Sequence, residues 1–78
     1  MIQTSMSRSI YEKEYKKIIS RLREVRLNTG LSQQAVADKL GKPQSYVAKI
    51  EAGERRIDVA EIKKLAAIYK KEVSYFYD

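Results

Sequence analysis

Glycine stands at only three positions in the chain, 30, 41 and 53, and proline at only one, 43. Glycine is favoured just past a helix end, where the backbone turns to positive φ. Each of the three follows a stretch with helical spacing of apolar residues, so each reads as a helix stop. The stops lie close together, and the two central helices must therefore be short. No segment alternates apolar and polar residues with a period of two, so an all-α fold is expected.

Local signals place the helices. Ser9 and Glu12 have capping-box spacing, and Tyr15, Ile18, Leu22, Val25 and Thr29 then recur on one helical face. A first helix is predicted over about 10–28, after a flexible tail at residues 1–8; residues 9–78 then form a single domain. Ser32 is a good N-cap for a second helix, 33–40, with Val36, Ala37 and Leu40 inward. Pro43 opens a third helix, 43–52, where its missing N–H costs nothing. Asp58 and Glu61 form another capping box for a fourth, 59–70, whose inner stripe is Ile62, Leu65, Ala66 and Tyr69. Ser74 caps a last turn holding Tyr75, Phe76 and Tyr77.

Composition excludes much chemistry. The 78 residues include no Cys and no His. Disulfides, thiolate or imidazole metal sites and Ser-His-Asp catalysis are thus closed. No phosphate loop or paired-carboxylate motif replaces them, so no catalytic residue, metal or cofactor is assigned and an enzyme is not expected. The net charge of +6 favours a polyanionic partner. That excess is uneven: residues 1–31 carry seven Lys or Arg against three Asp or Glu, whereas residues 57–78 carry four of each. No apolar run approaches the ~20 residues of a membrane span. The first residues lack an apolar signal segment, and a cytoplasmic location is expected.

The central residues suit a helix-turn-helix. Ala37 is small where two helices would cross, Gly41 tolerates the turn, and Val47 and Ile50 anchor the third helix. At 100° per residue, Val47, Ile50 and Glu51 point inward, Ser45, Lys49 and Ala52 outward, with Tyr46 and Ala48 on the flanks. Gln44 projects from the helix tip.

The span QQAVADKLGKPQSYVAKIEAGERRI, residues 33–57, resembles the helix-turn-helix of the lambda-repressor-like (Cro/cI, XRE) family. The flanking LREVRLNTGLSQ and LAAIYKKEVSYFY are similar to that family's first helix and C-terminal helices. The resemblance implies a compact five-helix domain, commonly a homodimer on a palindromic DNA operator. It implies that the third helix enters the major groove, with Gln44, Ser45 and Lys49 at base edges. Gln33 would contact phosphate and brace Gln44. Lys42, Tyr46, Arg55 and Arg56 are the other candidate phosphate contacts, while Lys13, Lys16, Lys17 and Arg21 add long-range attraction. The family also pairs the positions of Arg26 and Glu51, so a buried salt bridge is expected. Lys70 departs from the pattern, standing where glycine often follows the fourth helix.

The function expected is a sequence-specific DNA-binding transcriptional regulator, a repressor acting as a homodimer. Ile68, Val73, Tyr75, Phe76 and Tyr77 are the candidate dimer interface, the alternative for some of them being that they seal the core. An antitoxin or other protein-interaction subunit on the same fold is the alternative, together with a restriction–modification controller.

Overall fold

In a computed structural model, the described residues are 2–77, with side chains from residue 12 onward. Helix α1 spans Ile2–Thr29, α2 Gln33–Leu40, α3 Gln44–Glu51 and α4 Val59–Tyr69, and a 3₁₀ turn, Val73–Phe76, follows. Among the described residues there is no strand, and no helix is long and apolar enough to cross a membrane. The expected fifth helix is only the 3₁₀ turn.

α1 begins at Ile2, well before the predicted start at residue 10. The backbone of residues 2–8 is thus helical, and Ser9 and Glu12 lie inside the helix. Neither Gly nor Pro occurs before Gly30, and once a helix is nucleated each added residue gains a hydrogen bond without a new nucleus. The predicted boundaries Met1 and Asp78 lie outside the described residues.

The C-terminal half of α1 packs inward through Ile18, Ile19, Leu22, Val25 and Arg26, with Tyr15 partly buried against the same core. Thr29, expected on that stripe, is exposed; its hydroxyl donates to the Arg26 carbonyl at 2.7 Å and helps close the helix. Val36 and Ala37 of α2, Val47 and Ile50 of α3, and Ile62, Leu65, Ala66 and Tyr69 of α4 complete the core with Phe76. A slice this thin offers little redundancy: truncating one fully buried aliphatic side chain typically costs about 2–5 kcal/mol, a large part of a small domain's stability.

The turn between α2 and α3 is closed by Gly41, at φ +70°. Its conformation lets the Lys42 N–H reach the Ala37 carbonyl at 2.9 Å and satisfies the end of α2. Pro43 serves as the N-cap of α3 rather than its first residue, and its extended backbone turns the chain into the helix. α4 opens with the complete Asp58–Glu61 capping box.

α4 closes on Lys70, the one non-glycine residue at positive φ among those described, +58°. Its N–H and that of Lys71 still bond back to Ala67 and Ala66, so the glycine-type closure forms on a residue that bears a Cβ. Left-handed backbone costs an L-residue about 1–2 kcal/mol, offset in glycine by its greater freedom when unfolded. Lys70→Gly is therefore expected to stabilise the domain by roughly 0.5–1 kcal/mol, seen as a higher urea midpoint at unchanged m. A lower midpoint would mean that the Lys70 side chain contributes more than its backbone costs.

Candidate nucleic-acid interface

α3 presents one face to solvent and keeps the other in the core. Gln44, Ser45, Lys49 and Ala52 are exposed, Tyr46 and Ala48 are half-buried, and Val47 and Ile50 are buried. Ser45, Tyr46 and Lys49 share an open groove with Pro43, Glu54 and Arg55. Two of the residues expected at base edges, Ser45 and Lys49, thus stand beside two expected at the backbone, Tyr46 and Arg55.

Behind this face runs a chain of polar contacts. Arg26 Nε meets Glu51 Oε2 at 2.6 Å, and Arg26 Nη2 donates to Glu51 Oε1 at 3.0 Å. The third guanidinium group, Nη1, donates to the Leu31 carbonyl at 3.0 Å. Arg26 is only 7 % exposed; its hydrogen bonds to Glu51 raise its pKa despite the opposing effect of burial. Gln33 Nε2 donates to Glu51 Oε1 at 2.9 Å, and Gln44 Nε2 donates to Gln33 Oε1 at 2.7 Å. Glu51 as a carboxylate can only accept, so Gln33 must turn its amide nitrogen inward and its oxygen toward Gln44. The charge on Glu51 thereby fixes the orientation of both amides.

A second cluster ties α3 to α4. The Tyr46 hydroxyl donates to Glu61 Oε2. Arg55 Nη1 pairs with the same carboxylate at 3.0 Å, and its guanidinium lies 4.5 Å from the centre of the Tyr46 ring. Lys42 Nζ lies 5.4 Å from that ring. Burial, then the bond to Glu61, pushes the Tyr46 phenol up to about 12. Burial would raise Glu61, but hydrogen bonds from Tyr46, the Asp58 backbone and Arg55 outweigh it and hold the carboxyl below its ordinary value.

The other expected residues divide. Arg56 is exposed and its guanidinium lies 5.2 Å from the Tyr15 ring centre. Arg21 is engaged with the C-terminal turn, donating to the Tyr75 carbonyl at 2.7 Å with its guanidinium 5.7 Å from that ring's centre. Lys13, Lys16 and Lys17 are exposed on α1. Among the candidate interface residues, Phe76 is corrected: at 0 % exposure it is core and has no surface for a partner. The aromatic cluster is split because the 3₁₀ turn sends Phe76 inward and leaves Tyr75 and Tyr77 exposed. Ile68 and Val73 are half-buried.

Sequence reasoning missed the wider roles of Glu61 and Tyr15, whose hydroxyl donates to the Arg55 carbonyl at 2.8 Å across 40 residues. The capping box marked Glu61, but nothing local marks its contacts with Tyr46 and Arg55.

Two expectations follow. Removing one partner of a buried ion pair typically costs ~3–5 kcal/mol, so Glu51→Ala should lose that much in chemical denaturation and release Gln33 and Gln44; a loss under about 0.5 kcal/mol would make the pair incidental. The second concerns pH. Tyr46 and Tyr69 are both raised from 10.0 to about 12 in the folded state, Tyr69 chiefly by burial. Between those values the folded chain keeps protons that the unfolded chain has released, so stability falls as pH rises. Glu61 acts at the other end: its contribution is present above pH 4.5 and is lost as pH falls through its depressed value. Stability measured against pH should show both limbs. Tyr46→Phe should shallow the alkaline one, and a limb coinciding with the parent's would leave Tyr46 without that role.

Comparisons with known proteins agree with this architecture. A helix-turn-helix family model matches residues 22–76. An XRE-family-like protein from Pseudomonas syringae pv. tomato superposes with a TM-score of 0.86 and 31 % identity, over 91 % of this chain and 87 % of that one. The restriction–modification controller protein C.AhdI from Aeromonas hydrophila gives a TM-score of 0.75 and 35 % identity, over 83 % of this chain and 98 % of that one. No curated protein sequence matches. With the family model and both solved structures in accord, the chain belongs to the XRE family of helix-turn-helix DNA-binding regulators.

Proposed function

We propose that the protein is a sequence-specific transcriptional regulator that represses by occupying promoter DNA as a homodimer in the cytoplasm, with α3 in the major groove. The observation that carries this reading is the brace behind α3: Gln44 is exposed at the helix tip yet held by Gln33 and, through it, by Glu51. Gln44 uses only one amide hydrogen in that brace. Its other hydrogen and its oxygen remain for the two-point contact with adenine that glutamine makes. Lys49 suits guanine, and Ser45 suits either base.

Gln33, Lys42, Arg55 and Arg56 meet phosphates and fix the register. Tyr46 takes part through the cations beside its ring, because its hydroxyl proton is committed to Glu61. Ile68, Val73, Tyr75 and Tyr77 form the two-fold contact, which sets two recognition helices one DNA turn apart. The kinship with a restriction–modification controller favours one narrower version, in which the regulated genes encode such a system.

Selection of bound duplexes from random DNA tests the reading, and should return two half-sites about 34 Å apart. Lys49→Ala should then cost roughly 1–3 kcal/mol on the selected duplex and little on random DNA at matched salt. Arg56→Ala should weaken both alike. Equal losses for Lys49→Ala on the two duplexes would reduce Lys49 to a phosphate contact, and recovery of no sequence at all would overturn the regulator reading.

A further inference from the structure

Glu61 does more than its place in the capping box requires. Its Oε1 accepts from the Asp58 N–H at 2.8 Å, which completes the cap. The same carboxylate also takes the Tyr46 hydroxyl and pairs with Arg55 Nη1. Arg55 is restrained from other directions as well. Its guanidinium lies against the Tyr46 ring, Nη1 also donates to the Arg56 carbonyl at 2.8 Å, and its own carbonyl accepts the Tyr15 hydroxyl at 2.8 Å. All these restraints leave one edge of the guanidinium unused. Among the described residues, Nε and Nη2 of Arg55 reach no acceptor, and 41 % of the side chain stays exposed.

A cation held this way differs from an ordinary surface arginine. An unrestrained side chain loses rotamer freedom when it engages an anion, whereas a clamped one has already given it up. The unused Nε/Nη2 edge is also the planar fork that matches two oxygens of a phosphate. Arg55 itself lines the groove that contains Ser45 and Lys49, beside the exposed face of α3.

We infer that Glu61 is a positioning residue for DNA: through Tyr46 and Arg55 Nη1 it presets the free edge of Arg55 for a backbone phosphodiester. This rests on the DNA-binding reading above. It also has an unusual sign. A carboxylate near a polyanion opposes binding by charge alone, so its neutralisation should tighten binding. If Glu61 works by positioning, the same neutralisation weakens it.

Glu61→Gln in the full chain separates the two, since the amide retains an acceptor oxygen and nearly the same volume. Affinity for the selected duplex and for a random duplex should fall by a similar factor, about tenfold, as for the loss of one charge-assisted hydrogen bond. The log–log salt slope should become shallower by about 0.9 per protomer, because one phosphate fewer is neutralised. Arg55→Ala should do the same, and adding Glu61→Gln to it should cause no further loss. Binding by Glu61→Gln as tight as the parent's or tighter, or losses that multiply in the double variant, would overturn the inference. Should Glu61→Gln fail to fold, Tyr46→Phe serves instead: removing the hydroxyl should give a smaller loss with the same flattening of the slope, and an unchanged slope overturns the proposal. A parent protein that binds no duplex overturns the DNA reading itself, whereas a parent that binds while these variants bind no worse overturns the positioning role alone.

Discussion

A carboxylate on the inner side of a short helix has to be matched by a cation, because an unpaired buried charge costs far more than so small a core returns. Glu51 meets that requirement through Arg26, and the rest of the arrangement depends on it. The pair joins α1 to α3 across 25 residues, and Arg26 also reaches the Leu31 carbonyl ahead of α2. One guanidinium thus ties α1 to α3 and to the turn that leads into α2. Replacing such a pair by apolar residues is often neutral for stability, so what the charge adds here lies in direction. Gln33 and Gln44 take their orientation from an acceptor that cannot donate.

α3 is held at both ends by acids set behind its exposed face. Glu51 lies at its C-terminal end and works back to Gln44 at its start through Gln33. Glu61, from α4, receives Tyr46 and Arg55 on the flank. Neither carboxylate stands on the outward stripe of Ser45, Lys49 and Ala52. The negative charge that organises the helix is thereby kept to its rear and side, and a basic, hydrogen-bonding front is left toward a polyanion.

Much of this was legible in the sequence because it is local. The caps at Ser32 and Asp58, the glycine turn at Gly41 and the stripe Ile62, Leu65, Ala66 and Tyr69 each follow from residues within one or two helical turns. The illegible parts join distant positions or depend on something missing. The bond from Tyr15 to the Arg55 carbonyl leaves no pattern in spacing, nor does Glu61's hold on Tyr46. The early start of α1 is not legible, because the pair Ser9 and Glu12 has the spacing of a helix beginning although nothing before it stops a helix. Phe76 reads like its neighbours, because an aromatic triplet in a 3₁₀ turn does not show which ring faces inward. Only the room left between α1 and α4 decides that.

The absence of histidine and cysteine from the chain acquires a meaning beside the Glu61 cluster. Its two titrating partners are displaced in opposite directions, the acid downward and the phenol up to about 12, so both move away from neutrality. The surface around Tyr46 therefore carries the same charge pattern in a mildly acid cell as in a mildly alkaline one. That cluster does not change its charge across the range in which imidazole side chains titrate. Any attraction between that surface and a polyanion would accordingly be tuned by ionic strength more than by acidity.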